Sequence, residues 1–477
     1  MLKKLLVVLF IFSFLLSACA PAATPIATVD EPVVEAPATE VAVVEPTAAP
    51  VVEPTEAPVV PAGPNAELTD AKAGKYAGTT VTIMGPYTAE DDIKFRAAME
   101  PFIASTGINV EHEGTADFNT LLTVRVEAGN APDLAVVAQP ATTKLYAEQG
   151  KLVDLSSVLD MDQVKEDYIQ DWIDLGTFDG KLYGIYYRAS TKSLVWYMPA
   201  EFEAAGYAVP TSWEEMVALQ DQIIADGKAP WCISIEHSGV TGWVATDWLE
   251  EIVLRKYGPE VYDQWVNHEI PFNAPEIVDS LEEMGKIWKN DAIAYGGKDY
   301  ILNTWVGATQ NPMFETTGTG EDQKLDSKCF MHRQAGWYLS FIPETQRAAS
   351  NFFYFPAMDE KIGKPILGAG DQIVQFNDRP EVRALVQYLS SPEGGKIWAM
   401  TSGFISANKN VPLDWYGNAL DRSQAEILQN ATIFRFDASD MMPAEVGSGS
   451  FWTGMIEWTN GKDSQTVLDE IEASWPK

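Results

Sequence analysis

Runs of apolar and β-branched residues alternate with amphipathic stretches in the chain beyond residue 78. The short apolar runs predict strands at 79–84, 108–111 and 134–138. Between them, apolar residues recur with helical spacing and predict helices at 91–105 and 118–128. This order of elements is typical of an α/β fold with a mostly parallel sheet flanked by helices.

Polar residues follow each of these predicted strands. Residues 85–91 follow the first strand, 113–117 the second, and Gln139 the third. Ligands of α/β proteins commonly bind at the carboxyl ends of parallel strands. The pattern therefore predicts a binding site at this edge of the sheet, with Glu113 as a candidate ligand-binding residue.

Helical spacing returns toward the C-terminus. Apolar residues predict a helix around 382–389, and Val467, Leu468 and Ile471 predict an amphipathic closing helix at 465–473. A chain of 477 residues is long enough for two or more packed lobes.

The N-terminus has the features of an export signal. Lys3 and Lys4 precede an apolar run at 5–16 that Ser13 alone interrupts. A helix of this length spans about 18 Å, too short for a hydrocarbon core of about 30 Å, so 1–18 is predicted to be a secretory signal peptide. The ending Leu-Ser-Ala before Cys19 resembles a bacterial lipobox, which predicts lipidation of Cys19. The alternative is a plain secretory signal with a chance cysteine.

Residues 19–66 form a segment of biased composition. Proline, alanine, valine, threonine and glutamate dominate it, without aromatic or basic residues. Proline removes backbone donors and favours extended chain, so this segment is predicted to be a disordered tether behind the lipid anchor. A low-complexity insert without a role is the alternative. We expect the protein to be extracytoplasmic and lipid-anchored to the cell membrane of a bacterium.

Charge and composition exclude several functions. The net charge of −35 repels phosphate backbones, which argues against nucleic-acid binding. Three cysteines and four histidines are too few for a multi-disulfide scaffold and make a Cys/His zinc site improbable. No phosphate-binding loop, nucleophile elbow or HExxH motif occurs, so no metal and no cofactor is predicted.

Tryptophan is distributed unevenly. All 15 tryptophans lie from Trp172 onward, and several stand in turn-like, polar contexts. A flat indole with polar neighbours suits the C–H face of a sugar ring, while carboxylates, amides and arginine take the hydroxyls. For any single tryptophan, a place in the core is the competing interpretation.

Several segments resemble one protein family. They are GKLYGIYY at 180–187, FEAAG at 202–206, PTSWEE at 210–215, LGAGD at 367–371, SPE at 391–393 and GFISA at 403–407. In this order they resemble the family 1 extracellular solute-binding proteins of ABC transporters, the carbohydrate-binding group. Tyr186 is a departure, because the family often has proline there. Within the family, four further segments resemble the branch linked to α-glucosides. They are YRA at 187–189, KSLVWY at 192–197, PWCI at 230–233 and CFMHRQ at 329–334.

The resemblance implies a two-lobed periplasmic-binding-protein-like fold. Each lobe would be a mostly parallel sheet flanked by helices, with lobe 1 formed by 67–190 plus 366–412 and lobe 2 by 191–365 plus 413–477. Hinge crossovers are expected near 188–193, 362–366 and 411–414. A sugar or oligosaccharide would be captured in the interlobe cleft, would draw the lobes together, and would be delivered to ABC permease subunits by a monomer.

Position in the sequence and family likeness together select candidate ligand-binding residues. The side chains expected to stack on sugar are Trp243, Trp337 and Trp452. Those expected to bond hydroxyls are Glu113, Asp247, Arg333 and Asp371, with Arg188 near the hinge. Arg333 is equally compatible with a structural ion pair.

Cys232 and Cys329 remain after Cys19 is assigned to lipid. In an oxidising compartment they are expected to form a disulfide, and two buried free thiols are the alternative. No catalytic residue is predicted. The rival functions are a secreted glycoside hydrolase, which needs two carboxylates placed across the scissile bond, and a binding protein for a solute other than sugar.

Overall fold

The computed structural model describes residues 65–342 and 344–477, which lie within one compact unit, Val60–Lys477. The predicted signal peptide, Cys19 and nearly all of the predicted tether lie outside the described residues. Within the described ranges, no helix is both long and apolar enough to span a membrane.

The strands are β1 (Thr80–Gly85), β2 (Asn109–Gly114), β3 (Leu134–Val137), β4 (Thr177–Phe178), β5 (Lys181–Leu182), β6 (Gly184–Thr191), β7 (Leu194–Tyr197), β8 (Ala229–Trp231), β9 (Thr316–Thr317), β10 (Lys324–Leu325), β11 (Cys329–Arg333), β12 (Asn351–Tyr354), β13 (Ile366–Gln375), β14 (Ile405–Ser406) and β15 (Phe434–Phe436).

The α-helices are α1 (Ala66–Lys72), α2 (Ala89–Thr106), α3 (Phe118–Glu127), α4 (Pro140–Glu148), α5 (Met161–Asp167), α6 (Gln170–Leu175), α7 (Pro199–Ala205), α8 (Trp213–Ala225), α9 (Trp243–Val266), α10 (Pro275–Trp288), α11 (Gly297–Asn303), α12 (Glu344–Arg347), α13 (Pro380–Ser390), α14 (Pro392–Thr401), α15 (Ala419–Gln429), α16 (Ala438–Met441), α17 (Trp452–Thr459) and α18 (Ser464–Ala473). Helix α9 is kinked at Gly258, whose φ of 84° is not helical, just before Pro259. A π-helical segment, Glu445–Phe451, precedes α17, and a 3₁₀ segment, Gly336–Phe341, follows β11.

The larger sheet has the strand order β14-β6-β13-β3-β1-β2, with β15 paired to β13. Strands β1, β2 and β3 run parallel, whereas β6, β13 and β14 pair antiparallel. Leu134 and Val136 enter one core cluster and Ala135 and Val137 another, so β3 is covered on both faces. This explains why its sequence is an unbroken apolar run.

The smaller sheet has the order β12-β7-β11-β8 and belongs to a second core. Strand β7 pairs antiparallel with β11 and β12, and β11 pairs parallel with β8. Helix α8 packs beside this sheet and starts with a capping box: Ser212 Oγ accepts from the Glu215 N–H at 3.2 Å, and Glu215 accepts from the Thr211 N–H at 2.7 Å.

These observations confirm the two-lobed α/β fold. The predicted strands and helices between 79 and 138 all exist, with ends shifted by a few residues, and the closing helix buries Val467, Leu468 and Ile471 as expected. The expectation of mostly parallel sheets holds for β1–β3, and parallel pairing recurs at β13–β15 and β8–β11, whereas the other described pairs are antiparallel. Strand β13 enters the larger sheet from the smaller one rather than through a βαβ crossover, and it pairs antiparallel with both β3 and β6.

Candidate functional site

The described chain passes between the two sheets at identifiable points. Residues Lys192 and Ser193 link β6 to β7, and 355–365 link β12 to β13. A further passage lies at Asp437, because Phe436 belongs to the first core and Ala438 to the second. The candidate site is built around these passages.

A buried lysine joins two of the passages. The Lys192 ammonium donates to Asp247 at 2.9 Å and to Asp437. Asp247 lies in the first turns of α9, and both carboxylates are buried. The first passage, the last passage and α9 are thus held together by one ammonium group.

A second ion-pair group reaches the remaining passage. Glu251 accepts from Ser193 at 3.0 Å, from Arg255 at 2.5 Å and from Arg333 at 3.0 Å. Arg255 in turn donates to the Pro365 carbonyl oxygen at 3.1 Å. We call the buried residues Lys192, Ser193, Asp247, Glu251, Arg255, Arg333 and Asp437 the hinge cluster. Arg333, predicted to bond sugar hydroxyls, is therefore a member of a buried ion-pair network.

Burial and mutual attraction set the protonation of the hinge cluster. Burial raises the pKa of Asp247 to about 7, although Lys192 opposes this shift. Burial alone would raise the pKa of Asp437, but Lys192 outweighs burial and lowers it. Burial also disfavours the charged form of Lys192, yet the two carboxylates more than offset this and raise the pKa of Lys192. The ammonium is therefore charged at neutral pH.

The same cluster contains oxygens with metal-ligand spacing. Carboxylate oxygens of Asp247, Glu250 and Asp437 lie within 4.8 Å of one another. Lys192, however, already bonds to two of these carboxylates. Glu250 accepts from two consecutive backbone N–H groups after Asp437, at 3.1 Å each. Lysine thus supplies the positive charge that a metal ion would bring.

The three tryptophans predicted to stack on sugar lie beside the hinge cluster. Trp243 and Trp337 have ring centroids 5.7 Å apart, and the Lys192 ammonium is 5.7 Å from the Trp243 ring. Trp452 contacts the residue before Trp243, because a Cβ added at Gly242 would lie 2.4 Å from the Trp452 carbonyl oxygen. Ring contact thus joins Trp243 to Trp337, and Trp452 adjoins them through its backbone while its indole donates to Ser439 Oγ at 3.4 Å.

The exposure of these indoles separates them from the core tryptophans. Trp243, Trp337 and Trp452 are half-buried. The fully buried tryptophans of the described chain are Trp172, Trp196, Trp231, Trp248, Trp265, Trp288, Trp398 and Trp458. A half-buried indole has part of its surface available for a ligand. Full burial therefore does not apply to these three indoles, although Trp243 and Trp337 also pack against core clusters and their role as ligand-stacking residues stays a prediction.

A second group of predicted residues lies on the larger sheet. Arg188 on β6 is the register partner of Asp371 on β13. The Tyr87 hydroxyl donates to Asp371 at 2.7 Å, and Arg188 donates to Asp91 at 3.2 Å. The Arg188 guanidinium also lies 4.8 Å from the Trp398 ring. Tyr87 and Asp91 follow β1, so the end of this strand contributes side chains to this second group.

Tyr186 is fully buried in the first core, where its ring centroid lies 4.4 Å from that of Trp172 and 5.7 Å from that of Phe436. Its pKa is raised, first by burial and further by the carboxylates of Asp440 on α16 and Asp371 on β13. Gln139, at the end of β3, donates to Asp440 at 3.3 Å and so connects the first lobe to α16.

Glu113 stands apart from both groups. It lies on the edge strand β2, is about half exposed, and forms a two-bond ion pair with Arg125 at 2.7 and 2.8 Å. None of its described polar contacts is with another predicted site residue. Its carboxylate is satisfied by this guanidinium.

Cys232 and Cys329 are joined by a disulfide, with Cα atoms 5.5 Å apart, in a small buried cluster with Met313. The neighbouring His332 hydrogen-bonds through Nδ1 to the Cys232 carbonyl oxygen at 2.9 Å. Burial lowers the pKa of His332 to about 4, so it is a neutral core residue at physiological pH.

Sequence reasoning missed Lys192, Asp437, Asp440 and Tyr87. A signal existed for Lys192, because it is a charged residue between the apolar segments of β6 and β7. For Asp437 no signal existed. Its side chain accepts from the Asp440 N–H at 3.0 Å, an ordinary N-cap, and only the fold reveals that it also meets Lys192.

Two lobes joined by several passages, with a charged and aromatic site around them, define a solute-binding protein fold. Residues 85–396 match the family described as bacterial extracellular solute-binding protein. The chain belongs to this family, whose members are the extracytoplasmic binding components of ABC importers.

Two of the relatives that match most of the chain are more than a third identical to it. The osmoprotective compounds-binding protein GgtB of Synechocystis sp. is 45% identical over 398 residues, covering 83% of this chain and 92% of GgtB. The alpha-glucosides-binding periplasmic protein AglE of Rhizobium meliloti is 37% identical over 426 residues, covering 86% of this chain and 90% of AglE.

Solved structures share the fold at low sequence identity. A chitin oligosaccharide binding protein superposes with a TM-score of 0.67 at 20% identity, covering 82% of this chain and 97% of that one. RafE of Streptococcus pneumoniae, in complex with raffinose, superposes with a TM-score of 0.65 at 18% identity, covering 83% of this chain and 98% of RafE.

Proposed function

We propose that this protein captures a sugar or small glycoside between its lobes and delivers it to the permease of an ABC importer. The names of its relatives support this ligand class, since they record osmoprotective compounds and α-glucosides. Within the class we propose an α-glucoside, which agrees with the branch resemblance at 187–197, 230–233 and 329–334 and with the match to AglE; the 45% identity to GgtB makes an osmoprotective compound the second candidate. The observation that carries the proposal is the group of half-buried indoles beside the hinge cluster.

Each element of the site has a part in binding. Trp243, Trp337 and Trp452 offer aromatic faces to the C–H side of a sugar ring. Asp247 Oδ2 and Arg333 Nη1 face each other as a buried ion pair at 3.6 Å, and neither these atoms nor Arg333 Nε has a hydrogen-bond partner among the described residues. Buried polar atoms need partners, and hydroxyls of a ligand stacked on Trp243 would supply them. Asp371 and Arg188 would contribute from the other lobe.

Closure follows from the position of the site. Contacts from both lobes to one ligand stabilise the closed arrangement selectively, because the open one offers contacts from one lobe only. We propose the lobe division expected from the sequence with one change. Residues 413–436 include Ala425, Leu428, Phe434 and Phe436 of the first core, so the last boundary is proposed near Asp437 instead of 413.

The proposal extends to the N-terminal segment. A signal peptide at 1–18, lipidation at Cys19 and a tether would hold a monomeric binding protein close to its permease. Labelling with a fatty-acid analogue tests the anchor. Wild-type protein should incorporate the label and Cys19→Ala should not; label on the Cys19→Ala protein would contradict the assignment.

Calorimetric titration with mono- and disaccharides tests the ligand site. Trp243→Ala should weaken sugar binding at least tenfold, while thermal unfolding without ligand changes little, because the ring is half-exposed. Trp415→Ala is the matched control: Trp415 is also half-buried, but it packs on the first core with the Lys396 ammonium 4.3 Å from its ring. Unchanged affinity in Trp243→Ala would refute the site.

The hydrolase alternative is tested with the same protein. Incubation with α- and β-linked oligosaccharides, followed by chromatography, should return the sugars intact. Turnover would overturn the binding proposal.

A further inference from the structure

Two aromatic side chains extend the row of indoles to the protein surface. Trp305 is 47% exposed and Phe341 is 37% exposed. Their ring centroids lie 5.9 Å apart, and Phe341 lies 5.5 Å from Trp337. The rings Trp243, Trp337, Phe341 and Trp305 therefore form one continuous aromatic row, from beside the hinge cluster to solvent.

The outer end of the row is held by local structure rather than left as a loose surface. A Cβ added at Gly307 would lie 2.3 Å from Cη2 of Trp305, so the indole packs against the Gly307 backbone and depends on the missing side chain. The buried Gln310 amide donates to the carbonyl oxygens of Gly307 at 2.8 Å and Phe341 at 3.0 Å. One glutamine thus joins the loop that carries Trp305 to the segment that carries Phe341.

A second attachment fixes the start of this loop. The Val306 N–H donates to the Glu236 carbonyl oxygen at 2.9 Å, and Glu236 and Trp305 form an isolated parallel bridge. Glu236 immediately precedes His237, whose Nδ1 accepts from the Trp243 indole at 2.9 Å. The outer and inner ends of the aromatic row therefore share one backbone support.

The exposure of this pair is unusual within the described chain. The other large hydrophobic side chains that are exposed are aliphatic: Ile93, Val124, Leu145, Val209, Val217 and Met400. Isolated exposed aliphatic residues are ordinary, whereas exposed aromatic residues in contact with each other and held by buried hydrogen bonds mark a binding surface. The aromatic row is continuous with the proposed sugar site. A ligand long enough to extend from that site would therefore contact Phe341 and Trp305.

We propose that Trp305 and Phe341 form an outer saccharide subsite, which rests on the proposed function and specifies its ligand as a glycoside of two or more rings. The inner indoles hold the first sugar ring, and the outer pair stacks on a ring further along the chain. A monosaccharide occupies the inner part alone. Affinity should therefore rise with chain length in the wild type.

The experiment measures affinity against chain length. Wild type and Trp305→Ala are titrated calorimetrically with glucose, maltose and maltotriose. We expect Trp305→Ala to weaken binding of the longest sugar that the wild type binds by about tenfold, as for loss of one aromatic stacking partner. Glucose affinity should be unchanged, because its contacts lie at the inner indoles.

Gly307→Ala provides a second variant that keeps both rings. An added methyl group there must displace the Trp305 indole, so this variant should show the same chain-length-dependent loss. Gly239→Ala is the matched control, since a Cβ at Gly239 meets no atom within 4 Å. Circular dichroism and thermal unfolding of each variant establish that it is folded.

The outcomes separate the two proposals. If wild type binds none of these sugars, the proposed function fails for this ligand class and the subsite fails with it. If wild type binds them but Trp305→Ala loses affinity equally for all lengths, or for none, the subsite alone is overturned. Unchanged affinities with reduced transport by the reconstituted importer would assign the pair to permease contact and also overturn it.

Discussion

Replacing Lys192 by methionine tests the hinge cluster most directly. Methionine retains the apolar stem and removes the ammonium that bonds to Asp247 at 2.9 Å and to Asp437. At an effective dielectric constant of about 20, attraction over such a distance amounts to about 6 kcal/mol per pair. Desolvation of the ammonium offsets part of this, and breaking a buried pair by removing one partner typically costs about 3–5 kcal/mol. We expect a loss of this size in the free energy of unfolding.

The measurement is thermal unfolding by calorimetry without ligand. A loss of 3–5 kcal/mol corresponds to a decrease in Tm on the order of 10 °C for a lobe of this size. Lys75→Met is the matched control, because Lys75 is exposed and pairs with Asp70 on the surface. Its Tm should equal that of the wild type.

The pH dependence gives a second, independent readout. Without Lys192, only the hydrogen bonds from Ser439 and the Asp440 N–H still lower the pKa of Asp437, and we expect burial to raise the pKa of both carboxylates above their unfolded values. A carboxyl group with a raised pKa stabilises the fold at low pH, and this contribution is lost as the pH rises. The difference in stability between wild type and Lys192→Met should therefore be largest near pH 8 and shrink toward pH 5.

Two results would refute this reasoning. One is a Tm for Lys192→Met equal to that of Lys75→Met, which would mean that the ammonium is not needed. The other is a stability difference that stays constant from pH 5 to pH 8, which would mean that the carboxylates are not left charged and buried. As a consistency check, adding Asp437→Asn to Lys192→Met should recover part of the lost stability.

The remaining predictions concern single contacts. The Cys232–Cys329 disulfide spans a sequence separation of 97 residues, so replacing both cysteines by serine should lower the free energy of unfolding by about 4–5 kcal/mol; an unchanged denaturation midpoint would contradict this. Because burial raises the pKa of Asp247 to about 7, its stabilising contribution is present near pH 4 and lost as the pH rises through 7, and Asp247→Asn should flatten that decline in Tm. Glu113→Gln should leave sugar affinity unchanged in calorimetry, because Glu113 pairs with Arg125; a tenfold loss would return Glu113 to the site.

The aromatic residues show how far sequence reasoning can reach. Trp243, Trp337 and Trp452 are far apart in the sequence, yet each stands in a polar or turn-like context, and each is half-buried in the structure. Trp248 was in an equally polar context and is fully buried. A local sequence therefore indicates that an indole has polar neighbours, but not whether tertiary packing covers it.

The charged residues show more clearly what cannot be predicted from the sequence. The sequence predicts that Asp247 and Arg333 meet sugar hydroxyls, and the structure places both in a buried ion-pair network whose central member is Lys192. Lys192 and Asp437 are separated by 245 residues. No periodicity or motif relates two positions at such a distance, because their contact depends on how the passages between the sheets converge.

The sequence by itself determined the class of fold, most element positions in 79–138, the family, and the residue types suited to a sugar. These depend on local periodicity, composition and short motifs, which are properties of neighbouring residues. Only the tertiary structure decided which indoles remain accessible, which charges neutralise one another, and that Trp305 and Phe341 continue the aromatic row. Those properties arise from contacts between distant segments, and their energies depend on burial that no stretch of sequence specifies alone.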